Sequence, residues 1–320
     1  MGPAPTSWPP GRPLRLATRG SPLARLQCDL VASMLRELAV HVDVEIVVVS
    51  TRGDELAHLP LDQIGGQGAF VKEVQLAVLS RRVDLAVHSA KDLPPVAPEG
   101  LVVAAVPKRA DPRDVLIGRR LDDLGPGSTV ATGSARRRAQ LAHLHPDLEF
   151  VELRGNMARR LERAESGDVD VVVAAAAAME RLGWLARVAE VLPVEVMCPQ
   201  VGQGSLAVEC RDDDEVLLEL LAGIDHAPSH ATLLAERSLL AALGASCSAP
   251  VGGYARWLDD ESLELDAVMA SADGAKVVRA QRIGEDPASL GTDLARHLLD
   301  DLGGNALGGF DRPVAPVPGR

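Results

Sequence analysis

From the amino end, the chain alternates short runs of Val, Leu and Ile with longer stretches in which apolar residues recur every three or four positions. Short apolar runs bounded by turn residues predict buried strands, and the periodic stretches predict amphipathic helices. Strands are expected over Leu14–Thr18, Val44–Val49, Val83–Val87, Leu101–Val106, Thr129–Thr132, Phe150–Leu153, Val169–Ala174 and Leu206–Cys210. Helices are expected over Pro22–Leu38, Lys72–Ser80, Ala135–His143, Met157–Glu165 and Glu215–Ala222. Such alternation is the mark of an α/β fold. Two stretches break it: Pro107–Arg113 (PKRADPR) reads as a hinge, and Cys198–Gly204 (CPQVGQG) as a second breakpoint. Beyond about Ala227 the pattern changes to a helix over Ala231–Leu243, alternating segments at Leu263–Met269 and Lys276–Ile283, and a helix near Pro287–Leu302. That order predicts a small separate α+β domain.

The layout is therefore two α/β lobes with a hinge and cleft, similar to periplasmic-binding-protein lobes, plus the small C-terminal α+β domain. Two lobes around a cleft suit a solute binder and an enzyme equally, so the fold alone does not choose.

Composition narrows the classes. The 320 residues are 47% hydrophobic but only 2% aromatic, so the cores are built from Ala, Val and Leu. A net charge of −12 opposes general nucleic-acid binding and makes local clusters of Arg informative. The apolar runs are too short for a membrane span, and the Pro-rich opening Met1–Pro13 lacks the apolar centre of a signal peptide. A cytoplasmic protein is expected. Cys28, Cys198, Cys210 and Cys247 lie far apart without metal-ligand spacing, which predicts neither a disulfide framework nor a metal site.

Four segments carry candidate chemistry. In Val83–Pro94 (VDLAVHSAKDLP) an apolar strand ends in His88, Ser89, Lys91 and Asp92, at the sheet edge where α/β folds bind ligands. In ATRGSP, Arg19 leaves a strand just before Ser21 and Pro22 open a helix, a combination suited to anions or to an ordinary capped helix. In TGSARRR, Thr132 and Ser134 precede Arg136–Arg138; adjacent helical positions point to different faces, so only part of this cluster is expected to serve one ligand. In LRGNMARR, Arg154 and Arg160 flank another strand-to-helix turn. Three Arg-bearing turns favour a ligand with several carboxylates or phosphates. No phosphate-binding glycine loop is present, so a multi-carboxylate organic ligand fits better than a nucleotide. Finally, Cys247 sits in a loop of small residues, GASCSAPVGGY, where a thiol is either a small buried hydrophobe or an accessible nucleophile.

Together these segments resemble hydroxymethylbilane synthase, the porphobilinogen deaminase family. The matching pieces, in family order from about Leu14 to Tyr254, are LRLATRGSPLA, STRGDE, GGQGAFVKE, VDLAVHSAKDLP, DPRDVLIGR, ATGSARR, LRGNMARRLERAESGDVDVVVAAAAAMERLG, VGQGSLAVECR and AERSLLAALGASCSAPVGGYA. The resemblance implies stepwise condensation of four porphobilinogen molecules, with loss of ammonia, onto a dipyrromethane primer held by a thioether to Cys247. It implies Asp92 as the catalytic acid. Lys91, Ser89, Thr132, Ser134, Arg136, Arg137 and Gly155 are implied around the cofactor, and Arg19, Ser21, Arg154 and Arg160 around the substrate. The expected domains are a discontinuous first lobe (1–108 and 205–226, with 1–13 disordered), a second lobe (109–204) and a cofactor-carrying domain (227–320) with a loose tail. A monomer without membrane or nucleic-acid partners is expected.

The implied chemistry agrees with the residues. A growing chain of pyrroles bearing acetate and propionate is a polyanion that Arg forks can hold in register. A carboxylate can guide the leaving amine and stabilise the cationic azafulvene that remains. The chain departs from many relatives at Gln63 and Gln67, where Lys is frequent, at Gly133 and Ala135, and at Ser246, where Gly is usual before the cofactor Cys. The alternatives are a two-lobed binder of a multi-carboxylate solute and a thiol-transfer enzyme centred on Cys247.

Overall fold

The computed structural model of the chain describes residues 8, 9, 11–39, 42–51, 71–245 and 249–307. Cys247, Ser246, Gln63, Gln67 and the Gly65–Gly68 loop lie outside the described residues. The chain divides into two compact units, Met1–Arg109 with Ser205–His230, and Ala110–Gly204 with Ala231–Arg320.

The first unit is built on a five-stranded sheet. Its strands are β1 (Leu14–Arg19), β2 (Val44–Val49), β3 (Leu85–Ser89), β4 (Leu101–Ala105) and, far later in the chain, β10 (Leu206–Arg211). The order is β2-β1-β3-β10-β4, with β1 parallel to β2 and β3 and with β10 antiparallel to both its neighbours. Helices cover both faces, which is why β3 reads as unbroken apolar sequence until its end. Leu85 and Val87 join the core with Val31, Ala32 and Leu35 of the helix Pro22–Leu38, while Ala86 packs with Val74, Ala77 and Val78 of the helix Lys72–Leu79.

Within the opening segment, Trp8, Pro9 and the residues from Gly11 onward are among those described. Trp8 is only 6% exposed and belongs to the first unit's core. Its indole N–H donates to the Arg12 carbonyl at 2.8 Å, and the Arg12 guanidinium stands 4.8 Å from the ring centroid. Arg12 in turn pairs with the buried carboxylate of Asp84, which also accepts from the Arg15 backbone N–H at 2.8 Å. One indole with a core to enter ties Trp8 and Arg12 to the first unit.

The second unit carries a sheet of β5 (Asp114–Gly118), β6 (Thr129–Ala131), β7 (Glu149–Val151), β8 (Val171–Ala175) and β9 (Glu190–Val191) in the order β7-β6-β8-β5-β9. This repeats the plan of the first sheet. Two parallel strands, β7 and β8, flank β6 as β2 and β3 flank β1, and the antiparallel β5 separates β8 from β9 as β10 separates β3 from β4. Strand β5 fell at the end of the expected hinge and went unread. The chain leaves this sheet through Gly204, whose φ of +90° and whose closeness to Ala110 exclude a side chain: a Cβ there would meet the Ala110 carbonyl oxygen at 2.5 Å.

The C-terminal part of this unit is an antiparallel sheet, β11 (Val251–Trp257), β12 (Leu263–Ala270) and β13 (Val277–Gly284). The helices Ala227–Ala242 and Pro287–Arg296 supply Ala235, Leu239, Leu290 and Leu294 to its core. Strand β11 looked like loop because of Gly252 and Gly253. Both glycines are packing requirements: a Cβ on Gly252 would lie 2.8 Å from the Cys198 carbonyl oxygen, and one on Gly253 would lie 2.9 Å from Leu239 Cδ2. The fold is thus the expected mixed α/β class, two α/β lobes with a small C-terminal α+β part.

Candidate active site

In the first unit, β1 and β3 run parallel and deliver their carboxyl ends side by side. Arg19 ends β1. Ser21 then takes extended backbone and caps the helix Pro22–Leu38 by accepting from the Ala24 N–H at 3.2 Å, with Pro22 preset for the first helical turn. Ser89 ends β3, and a 3-10 turn, Ala90–Asp92, carries Lys91 and Asp92 beyond it. The Ala90 N–H donates to the Ser205 carbonyl at 3.0 Å, so the turn continues the pairing of β3 with β10. Arg19, Ser21, Gln27, His88, Ser89 and Asp92 line one pocket, with Val71 and Val87 among its apolar walls. The motif reading missed Gln27. This buried side chain and the Ser89 hydroxyl lie at hydrogen-bond distance through both the amide nitrogen (2.9 Å) and the amide oxygen (3.0 Å), which fixes the Ser89 rotamer. Its signal was a polar residue on the core side of an amphipathic helix.

In the second unit, Thr132 and Ser134 behave as turn residues. The Ser134 N–H donates to Thr132 Oγ1 at 3.2 Å, and Ser134 caps the helix Ala135–Leu144. The expectation that Arg136 and Arg137 diverge is corrected. Both reach the same carboxylate, Asp114, each on a different oxygen. Arg136 Nη1 donates to Oδ2 at 2.8 Å and Arg137 Nε to Oδ1 at 2.9 Å. Helical angle sets where a side chain starts, yet a long guanidinium can still bend to a shared acid in the first turn. Gln203 Nε2 adds a third donor at 3.1 Å. Asp114 is fully buried; burial alone would raise its carboxyl, but the two guanidiniums and the hydrogen bonds from Arg136 and Gln203 outweigh that and hold it at about 2. Neither Asp114 nor Gln203 was singled out from sequence, although both lie in quoted segments. A lone acid before an apolar run carries no local mark of its partners.

Arg136 is not fully used. Its Nη1 also donates to the Cys198 carbonyl at 2.6 Å, but Nε and Nη2 are buried without a hydrogen-bond partner. Orphaned guanidinium N–H groups are costly, and a carboxylate ligand is what they suit. Arg137, by contrast, places Nη1 on the Val173 carbonyl at 2.9 Å, and burial pulls its own basicity down. Gly155 takes φ of +95°, and its carbonyl accepts from Arg160 Nε at 2.9 Å, so Arg160 is folded back on its own turn. Arg154 pairs with Glu152 at 2.8 Å. Cys28, Cys198 and Cys210 are all buried; burial pushes the first and last thiols up to about 12 and Cys198 higher still, which makes them poor nucleophiles. Among the described residues there is no cluster able to hold a metal ion and no helix long and apolar enough to cross a membrane.

Comparison with known proteins agrees with this chemistry. Residues 14–219 match the family model described as porphobilinogen deaminase, dipyrromethane cofactor binding domain, and residues 230–300 match the porphobilinogen deaminase C-terminal domain. A porphobilinogen deaminase of Desulforudis audaxviator is 44% identical over 92% of this chain and 97% of its own length. That of Syntrophobacter fumaroxidans is 43% identical over 90% and 95%, and that of Brevibacillus brevis 40% identical over 92% and 96%. An ancestral cationic amino acid solute binding protein superposes with a TM-score of 0.41 at 16% identity over 70% of this chain and 93% of its own, a likeness too slight to bear on function. With two family models covering both units and relatives matched almost end to end, the chain belongs to the porphobilinogen deaminase family, the hydroxymethylbilane synthases that bind a dipyrromethane cofactor.

Proposed function

We propose that Asp92 is the carboxylate that acts on porphobilinogen, that Cys247 is the thioether anchor of the dipyrromethane, and that the arginines named above hold the acidic side chains of both. The observation that carries this reading is the pocket that gathers Asp92 with Arg19, Ser21 and Ser89 at the ends of β1 and β3. Asp92, half-buried there, hands a proton to the departing amine and then faces the positive charge left on the ring. Arg19 and Ser21 orient the substrate's carboxylates, so that the ring presents its aminomethyl carbon to Asp92. Ser89, held by Gln27, and Lys91 complete that edge. The dipyrromethane supplies the nucleophilic pyrrole carbon to which each unit is added. The free Nε and Nη2 groups of Arg136 fit one of its carboxylates; Thr132, Ser134, Arg137, Gly155, Arg154 and Arg160 serve by shaping that part of the second unit. Inertness of the three buried thiols supports Cys247 as the anchor. The same reading takes the protein as a cytoplasmic monomer that binds neither nucleic acid nor membrane.

The test is intact mass of denatured protein, before and after incubation with porphobilinogen, beside Cys247→Ser and Asp92→Asn. We expect two pyrrole units on the native chain, none on Cys247→Ser, and a loaded Asp92→Asn that has lost at least 100-fold in turnover, roughly the share of general acid catalysis. Near-normal turnover by Asp92→Asn would overturn its role.

A further inference from the structure

Strand β3 has a second polar residue at its end, His88, which the chemistry above leaves unused. Alternation along the strand puts His88 on the face opposite Ser89. In the antiparallel pairing His88 stands across from Ala207, and Glu209 across from Ala86, so the two side chains are diagonal neighbours on one face. His88 Nε2 lies 3.3 Å from Glu209 Oε2, with side-chain exposures of 4% and 1%. The other carboxylate oxygen accepts from Gln75 Nε2 at 3.0 Å, delivered by the helix Lys72–Leu79. Neither Nε2 nor Oε2 has a well-formed hydrogen bond, and among the described residues Glu209 is paired with no Lys or Arg.

A carboxylate buried against an amide and an imidazole is expensive, and two apolar residues would fill the same space without that cost. This one sits directly behind the pocket, since His88 lines it together with Asp92 and Ser89. The close approach of Nε2 to the Glu209 carboxylate sets the orientation of the imidazole ring. The backbone of His88 leads through Ser89 into the turn that carries Asp92, and that turn is pinned to Ser205 beside the same strand, β10.

We propose that His88, oriented by Glu209 and Gln75, is a positioning residue that fixes the Ser89–Asp92 segment for catalysis. The proposal rests on the reading of Asp92 as the acting carboxylate. His88→Leu is expected to load the dipyrromethane normally and keep KM, while kcat falls 10- to 100-fold, the scale of a displaced catalytic group. It also strands a buried charge, so a loss of Tm is expected. The deciding variant is the double replacement His88→Leu with Glu209→Leu. If the pair only satisfies itself, removing both members restores Tm and kcat together. If it positions Asp92, the double variant recovers Tm but not kcat. Adding His88→Leu to Asp92→Asn separates the two readings, because a residue acting through Asp92 costs little once Asp92 is gone. Recovery of kcat in the double variant, or an undiminished penalty in the Asp92→Asn background, would overturn the proposal. Normal turnover by Asp92→Asn alone would instead strike at the role of Asp92, leaving the double variant to report on the pair.

Discussion

The two α/β sheets share one strand order yet treat charge in opposite ways. At the end of β3 in the first unit, Asp92 is left half-buried at the rim of a pocket, where it can meet a ligand. At the start of β5 in the second, Asp114 is sealed away and gripped by Arg136, Arg137 and Gln203. A carboxylate kept for chemistry must stay short of protein partners. One kept for structure must have as many as geometry allows. The second unit combines both principles in Arg136, whose one nitrogen is tied inward while two others are left unpaired.

The contrast breaks most sharply at the two acids. Asp114→Asn strands two buried guanidiniums and is expected to cost about 3–5 kcal/mol of unfolding free energy, read from urea melts. Asp92→Asn should stay within about 0.5 kcal/mol of the parent in the same melts. Next comes Trp8→Ala, which empties an aromatic site in the first unit and should cost about 3 kcal/mol without altering Asp114-linked behaviour. Acid sharpens the comparison further. Asp114 is held below its ordinary value, so its contribution is complete above about pH 4 and is lost as pH falls toward about 2. Stability should decline by about 2 kcal/mol through that window, and this decline should vanish in Asp114→Asn. The smallest effect is expected at the helix caps, where Ser21→Ala and Ser134→Ala should each cost about 1 kcal/mol. Only the first touches the pocket, so only Ser21→Ala should also raise KM.

How much of this was legible in the chain varies with how local the cause is. The helices Pro22–Leu38, Met157–Glu165 and Glu215–Ala222 follow their apolar periods and caps residue for residue. Strand β11 was hidden because its glycines answer to Cys198 and Leu239, which are distant in sequence. Strand β5 was hidden by the proline and charges just before it. The pocket of the first unit was readable, since Arg19, Ser21, Ser89 and Asp92 all stand at strand ends. Asp114 was not, because its meaning lies in residues 22, 23 and 89 positions away. The shared strand order was equally invisible: the antiparallel member comes first in one sheet and last in the other.

That last difference dictates an order of birth. Strand β10 inserts between β3 and β4, and its Leu206 stands opposite Ser89. On the ribosome, the first sheet must therefore wait, with the edges of β3 and β4 open, until the whole stretch 110–204 has been made. The second sheet meets no such delay and is complete once β9 emerges. Of the two α/β sheets the amino-terminal one is thus the later to close, and β3 and β4 are the edges most in need of a chaperone during synthesis.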